Sequence, residues 1–144
     1  GDSMVAMLGA TQVEEKKIID LVKEGKLSQK RLDEIIERTK KGGAEIVKYL
    51  GNGSAYFAPA ASGVEMAECY LKDLKKQLPC AVHLNGEYGA KDIYAGVPVI
   101  IGSGGVEKII ELELSVKEKE NFKKSIEAVK DLFNAAKKID TFLN

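Results

Sequence analysis

Few residues of this 144-residue chain could carry chemistry, and their spacing sorts them. His83 is the only histidine, so any proton transfer near neutral pH would be offered to it first. It lies between Val82 and Leu84 in an extended run, which marks a strand-face residue and not an acid–base catalyst. Cys69 and Cys80 have no CxxC partner and no histidine in zinc-ligand spacing. They read as small hydrophobes, one on a helix and one opening a strand. Gly102-Ser103-Gly104-Gly105 is rich in glycine, but it joins two strands and lacks the third glycine of the dinucleotide fingerprint, so it predicts a hairpin turn. No P-loop is present. What remains is Gly51-Asn52-Gly53-Ser54-Ala55-Tyr56-Phe57-Ala58-Pro59-Ala60-Ala61-Ser62, a run of small residues where a helix must begin. Ser54 can cap that helix, and Pro59, lacking an N–H, belongs in its first turn. A hydroxyl among small side chains at the positive end of a helix suits a small polar ligand. The same pattern also suits a close helix–helix crossing.

The elements that must position these residues follow from the periodicity. Met4 to Leu8 predicts a short extended entry that stops at Gly9. Residues 13–24, without glycine or proline, prefer a helix with Ile18, Leu21 and Val22 on one face. Gly25 stops it. Ser28 caps an amphipathic helix to about residue 50, interrupted at Gly42-Gly43 by a kink or to leave room for a neighbouring backbone. The helix opened by Ser54 is expected to run through Leu74 and end before Pro79. Cys80-Ala81-Val82-His83-Leu84 then predicts a strand that turns at Asn85-Gly86. Further strand signals lie at Ile93-Tyr94, at 97–101 and from Val106 to Leu114, where Ile110, Leu112 and Leu114 alternate with Glu111 and Glu113. Pro98 cannot donate to a ladder and is expected at an edge or a bulge. Ser115-Val116-Lys117-Glu118 is a capping box, opening a helix whose apolar stripe runs from Phe122 to Ile139 and should pack across the sheet. The fold class is α+β: a small antiparallel sheet packed with long helices.

Bulk properties agree with one domain large enough to bury a core. Hydrophobic residues make up 44% and the 22 basic and 22 acidic residues cancel. A balanced chain has no electrostatic reason to seek nucleic acid or an anionic membrane, and no apolar run approaches a membrane span. Lys and Glu recur at solvent-face positions on every helix. The N-terminus has neither the basic nor the apolar region of a signal peptide, and a reducing, cytoplasmic setting fits two unpaired cysteines.

Gly53 to Ser62, with Gly42-Gly43-Ala44-Glu45-Ile46-Val47-Lys48 before it, resembles the lactate/malate dehydrogenase family, in particular its lactate-dehydrogenase-like malate dehydrogenases. The resemblance continues through Leu78-Pro79-Cys80-Ala81, Gly86-Glu87-Tyr88-Gly89, Gly96-Val97-Pro98-Val99 and Gly104 to Leu112, covering nearly all of the chain. It departs at Glu14 to Val22, where relatives carry a Gly-Ile-Pro turn. It implies that residues 1–144 are the C-terminal, substrate-binding half of a malate dehydrogenase, a fragment inactive alone, with the Rossmann half absent. Gly1-Asp2-Ser3-Met4-Val5 matches the residues that directly follow the catalytic histidine. The resemblance therefore places that histidine, its aspartate, the substrate-clamping arginines and the NAD site upstream, leaving no catalytic residue, no cofactor-binding residue and no metal site in this chain. Ser54, Ala55 and Pro59 match wall positions of the substrate pocket, with the Ser54 hydroxyl a donor to a substrate oxygen. The implied substrate is a small dicarboxylate, malate or oxaloacetate, and the implied assembly a homo-dimer or homo-tetramer. The helix over 28–50 is implied to border the cleft and shift when substrate binds. Two alternatives stand: a lactate dehydrogenase of the same branch, and a non-catalytic interaction domain that keeps the fold.

Overall fold

A computed structural model describes residues 3–143, with the side chain of Thr141 left aside. The match of Gly1 and Asp2 to the residues after a catalytic histidine lies outside the described residues. The chain divides into two compact units, Gly1–Tyr56 with Leu112–Phe122, and Phe57–Glu111 with Lys123–Asn144.

In the first unit the helix expected over 13–24 is not formed as such. A tight turn takes its first half: β1 (Gln12–Val13) pairs antiparallel with β2 (Lys16–Lys17), and Glu14 adopts a positive φ of 56° between them. Ile18, buried, donates its amide to the Thr11 carbonyl at 3.0 Å, which draws the chain back across the hairpin. Only α1 (Ile18–Lys23) remains helical. Burial of Ile18 and the turn outweigh a weak helical preference. Ser28 caps α2 (Gln29–Lys40) as expected, accepting the Arg31 amide at 3.2 Å. The helix breaks at Lys41, and α3 (Gly42–Leu50) follows. The break falls one residue ahead of the paired glycines, which open α3, and they make no room for a neighbour, since a methyl group on either would meet nothing within 4 Å. Arg38, in the last turn of α2, makes a bidentate pair with Glu45 of α3 at 3.0 and 2.9 Å across the break.

The capping box opens α5 (Val116–Ile139). Glu118 accepts from the Ser115 amide at 2.9 Å and hydroxyl at 2.7 Å, and the Ser115 hydroxyl accepts the Glu118 amide at 3.3 Å. Glu118 also accepts the Gly9 amide at 3.2 Å, which ties the entry segment to this helix start. The apolar stripe of α5 is buried at Phe122 and Ile126, while Leu132, Phe133 and Ile139 at the same spacing are exposed.

The second unit holds the sheet. α4 (Phe57–Leu71) packs against β4 and buries Cys69 completely. It stops three residues short of Leu74, because Asp73 and Lys75, both at φ 50°, reverse the chain. β3 (Lys76–Asn85) therefore starts ahead of Pro79 and not at Cys80. It pairs antiparallel with β4 (Lys91–Gly102), which pairs antiparallel with β5 (Gly105–Ile109), giving the order β3-β4-β5. Leu78, Leu84, Ile93, Ala95, Val97, Val99 and Ile101 form the buried face; burying each larger one contributes about 1.5–3 kcal/mol.

Pro98 sits in the central strand, which corrects its expected place at an edge or bulge. The ladder accommodates it by substitution. Ile110 donates its amide to the Pro98 carbonyl at 2.8 Å, as an antiparallel pair requires. Pro98 has no N–H to return, and the Tyr88 hydroxyl donates to the Ile110 carbonyl instead, at 2.7 Å. Tyr88 reaches that position from the β3–β4 connection, a longer turn than Asn85-Gly86 suggested, with its own φ at 54°. β5 ends at Ile109, yet Ile110, Leu112 and Leu114 remain half-buried against exposed Glu111 and Glu113, so the alternation holds beyond the ladder. Among the described residues no helix is long and apolar enough to cross a membrane.

Candidate substrate-binding site

Ser54, Ala55 and Pro59 fall where α3 gives way to α4. Gly51 caps α3 at φ 81°, donating its amide to the Val47 carbonyl at 3.0 Å. Gly53 takes a second positive φ of 81°. Ser54 is exposed and Ala55 half-buried at the end of the first unit. Pro59, exposed, is the third residue of α4, where its missing N–H removes a donor that has no intrahelical partner anyway.

The hydroxyl of Ser54 does not cap α4 in the expected way. It accepts the Tyr56 amide at 3.2 Å in a local turn, and the helix begins only at Phe57. The turn is closed by Tyr56, whose φ is 32° and whose ring lies over Gly53. A methyl group on Gly53 would overlap the Tyr56 hydroxyl and sit 2.8 and 2.9 Å from ring carbons Cζ and Cε2. Gly53 is thus required both for its dihedral and for the ring above it. Nothing in the sequence flagged Tyr56, since an aromatic at positive φ leaves no spacing signal.

The other groups with chemical capacity are committed or turned away. His83 is exposed on β3 opposite Tyr94, the rings 5.3 Å apart and 68° to each other, so it lies on a strand face as its place between Val82 and Leu84 predicts. The two arginines of the chain are both paired, Arg31 with Glu34 at 3.2 Å and Arg38 with Glu45. The Glu45 carboxylate holds the Arg38 pKa above its ordinary value, chiefly through their hydrogen bond. Arg38 commits its fork to Glu45, while Arg31 makes a single contact at the surface. Cys80 lies with its Sγ 3.5 Å from the Met66 Sδ, and burial pushes its thiol up, away from a reactive thiolate. The string from Gly102 to Gly105 turns β4 into β5 and is held by Asp73, which accepts the Ser103 amide at 2.9 Å; that bond keeps the Asp73 carboxyl below its usual range. Among the described residues no group of three or more His, Cys, Asp and Glu is arranged to hold a metal. No glycine-rich turn among them joins a strand to a helix, so they do not fit a dinucleotide.

A small three-stranded antiparallel sheet with long helices defines the class as α+β. Residues 1–140 match the family described as lactate/malate dehydrogenase, alpha/beta C-terminal domain, and the chain belongs to that family. It is similar to a malate dehydrogenase of Pelagibacter ubique, 64% identical over 144 residues, which span all of this chain and 45% of that protein. Among solved structures it is similar to Cryptosporidium parvum malate dehydrogenase, with a TM-score of 0.91 and 40% identity over 96% of this chain and 44% of that one. A lactate dehydrogenase from Eimeria maxima, solved with NADH and oxamate, superposes with a TM-score of 0.92 and 38% identity over 98% of this chain and 44% of that one. The chain thus spans less than half the length of the proteins it matches.

Proposed function

We propose that residues 1–144 are the C-terminal, substrate-binding domain of an NAD-dependent malate dehydrogenase that interconverts malate and oxaloacetate. The observation that carries this reading is 64% identity, over the whole of this chain, to a protein named malate dehydrogenase. In it Ser54, Ala55 and Pro59 form part of the wall of the dicarboxylate pocket, with the Ser54 hydroxyl donating to a substrate oxygen. The arginine fork for the carboxylate and the histidine that exchanges the substrate proton come from residues outside this chain, in keeping with the paired arginines and the outward His83. The coenzyme likewise belongs to residues outside it, because those described here do not fit a dinucleotide. When bound, NAD supplies the hydride acceptor; this chain's share is to shape the pocket. The protein works as a homo-dimer or homo-tetramer in the cytoplasm.

A lactate dehydrogenase of the same branch is the second reading, favoured by the likeness to the Eimeria maxima enzyme. Comparing kcat/KM for oxaloacetate and pyruvate, in an enzyme of full family length that carries this chain, decides between them. A preference for oxaloacetate supports the malate reading, and a preference for pyruvate sinks it. The 144 residues alone should neither bind NAD usefully nor turn over; turnover by them alone would refute the division of labour.

A further inference from the structure

We propose that Tyr56 is a positioning residue for Ser54, holding the serine hydroxyl ready to donate a hydrogen bond to an anionic oxygen of the substrate. The proposal rests on the reading of Ser54 as a wall residue and adds the device that orients it. A serine hydroxyl carries one proton and two lone pairs. The Tyr56 amide, donating at 3.2 Å, occupies a lone pair of Ser54 Oγ. No acceptor among the described residues takes the hydroxyl's own proton, and the side chain is exposed. The turn therefore uses the accepting side of the hydroxyl and leaves the donating side for a ligand. A carboxylate accepts and cannot donate, so this polarity matches a 2-oxo acid or its hydroxy counterpart.

What keeps the amide in place is the tyrosine ring. Tyr56 holds φ at 32°, a conformation that a residue with a side chain keeps only when its surroundings impose it. The surroundings here are its own ring lying over Gly53, at a spot that only a glycine leaves open. Ring, amide and hydroxyl form one unit within residues 53–56. Removing the ring should free φ, let the amide swing away and leave the Ser54 hydroxyl to rotate and bond with water.

The test uses an enzyme of full family length and steady-state kinetics with oxaloacetate. Tyr56→Ala is expected to raise KM about fivefold to tenfold with kcat within about twofold, the pattern of a lost binding contact. Tyr56→Phe, which keeps the ring, is expected to bring KM back to within about twofold of the unsubstituted enzyme. The pair Ser54→Ala with Tyr56→Ala should be no worse than Ser54→Ala alone, because both act through one hydroxyl. If Tyr56→Ala does not fold, Tyr56→Leu keeps apolar bulk without the planar ring and reads the same KM. Gly53→Ala gives an independent route, displacing the ring while leaving Tyr56 in the chain, and should also raise KM. A normal KM in Tyr56→Ala or Tyr56→Leu, or effects of Ser54 and Tyr56 that simply add, overturns the positioning role while a raised KM in Ser54→Ala preserves the wall reading. An unchanged KM in Ser54→Ala itself overturns the wall reading, and the positioning role with it.

Discussion

Replacing Tyr88 by phenylalanine isolates the bond that lets a proline occupy the middle of the sheet. The substitution removes one oxygen and keeps the ring. It leaves the Ile110 carbonyl without the donor at 2.7 Å that stands in for the absent Pro98 amide. The bond is part-buried, so the loss is expected to fall at about 1–2 kcal/mol, between an exchangeable surface hydrogen bond and a fully stranded carbonyl. In a chain of this size each kcal/mol moves the melting temperature by roughly 2–4 °C. Denaturant unfolding should show a lower midpoint at unchanged slope. Tyr94→Phe supplies the control, since that side chain is 64% exposed, and it should stay within about 0.5 kcal/mol of the parent. The sharper arm is Pro98→Ala, which restores a backbone N–H facing the Ile110 carbonyl. Combined with Tyr88→Phe it should recover part of the loss, giving a favourable coupling in the double-mutant cycle. A Tyr88→Phe variant as stable as the Tyr94→Phe control would refute the substitution of hydroxyl for amide. So would a cycle with no coupling.

Two other outcomes follow from the same structure. The Glu118 carboxyl is held below its ordinary pKa, first by the Ser115 hydroxyl and then, against the opposing effect of burial, by the Ser115 and Gly9 amides. A lowered folded-state pKa gives stability that is present above the unfolded value, near 4.5, and lost as pH falls through the folded value. Glu118→Gln should therefore cost about 1 kcal/mol at neutral pH and flatten the acid limb of unfolding; an acid midpoint shared with the parent would show that the carboxylate is not what fastens Gly9 to α5. His83→Gln, changing an exposed side chain that faces Tyr94, should leave kcat of a full-length enzyme nearly unchanged, and a loss of more than about tenfold would return His83 to the chemistry.

The parts of the fold legible in the sequence are those where one local signal acts without competition. Ser115 and Glu118 sit three apart, and the reciprocal cap forms as that spacing requires. Ser28 caps α2, and Gly42-Gly43 marks the break between α2 and α3, because no distant contact opposes either. The reading of His83 as a strand-face residue survives because one face of the sheet is buried and a shift of one residue would invert it. The misread parts are those where a distant partner decides. Residues 13–24 have helical propensity, but a turn at Glu14 and the Thr11 carbonyl capture the first half. Pro98 obeys the rule that proline cannot donate, and the rule's usual outcome fails because Tyr88 supplies the donor from another turn. The stretch around Ser54 was legible as the place where a helix begins, while the parts Gly53 and Tyr56 play in its shape depend on a ring lying over a backbone.

Those differences bear on how the chain would contribute to catalysis. Its two arginines each pair with a glutamate nearby in the chain, its histidine faces another aromatic ring, and its half-buried cysteine is held as a thiol beside a methionine. The Ser54 hydroxyl accepts the Tyr56 amide and keeps its own proton free of any acceptor among the described residues. On the function proposed above, the share of this chain is to discriminate between ligands. A donor fixed in direction binds an anionic oxygen at one distance and angle, and leaves an unmet hydrogen bond when a ligand lacks that oxygen. If Ser54 lines the pocket as proposed, the turn shaped by glycine at 53 and the aromatic ring at 56 sets the direction of that donor, and changing either should alter KM more than kcat.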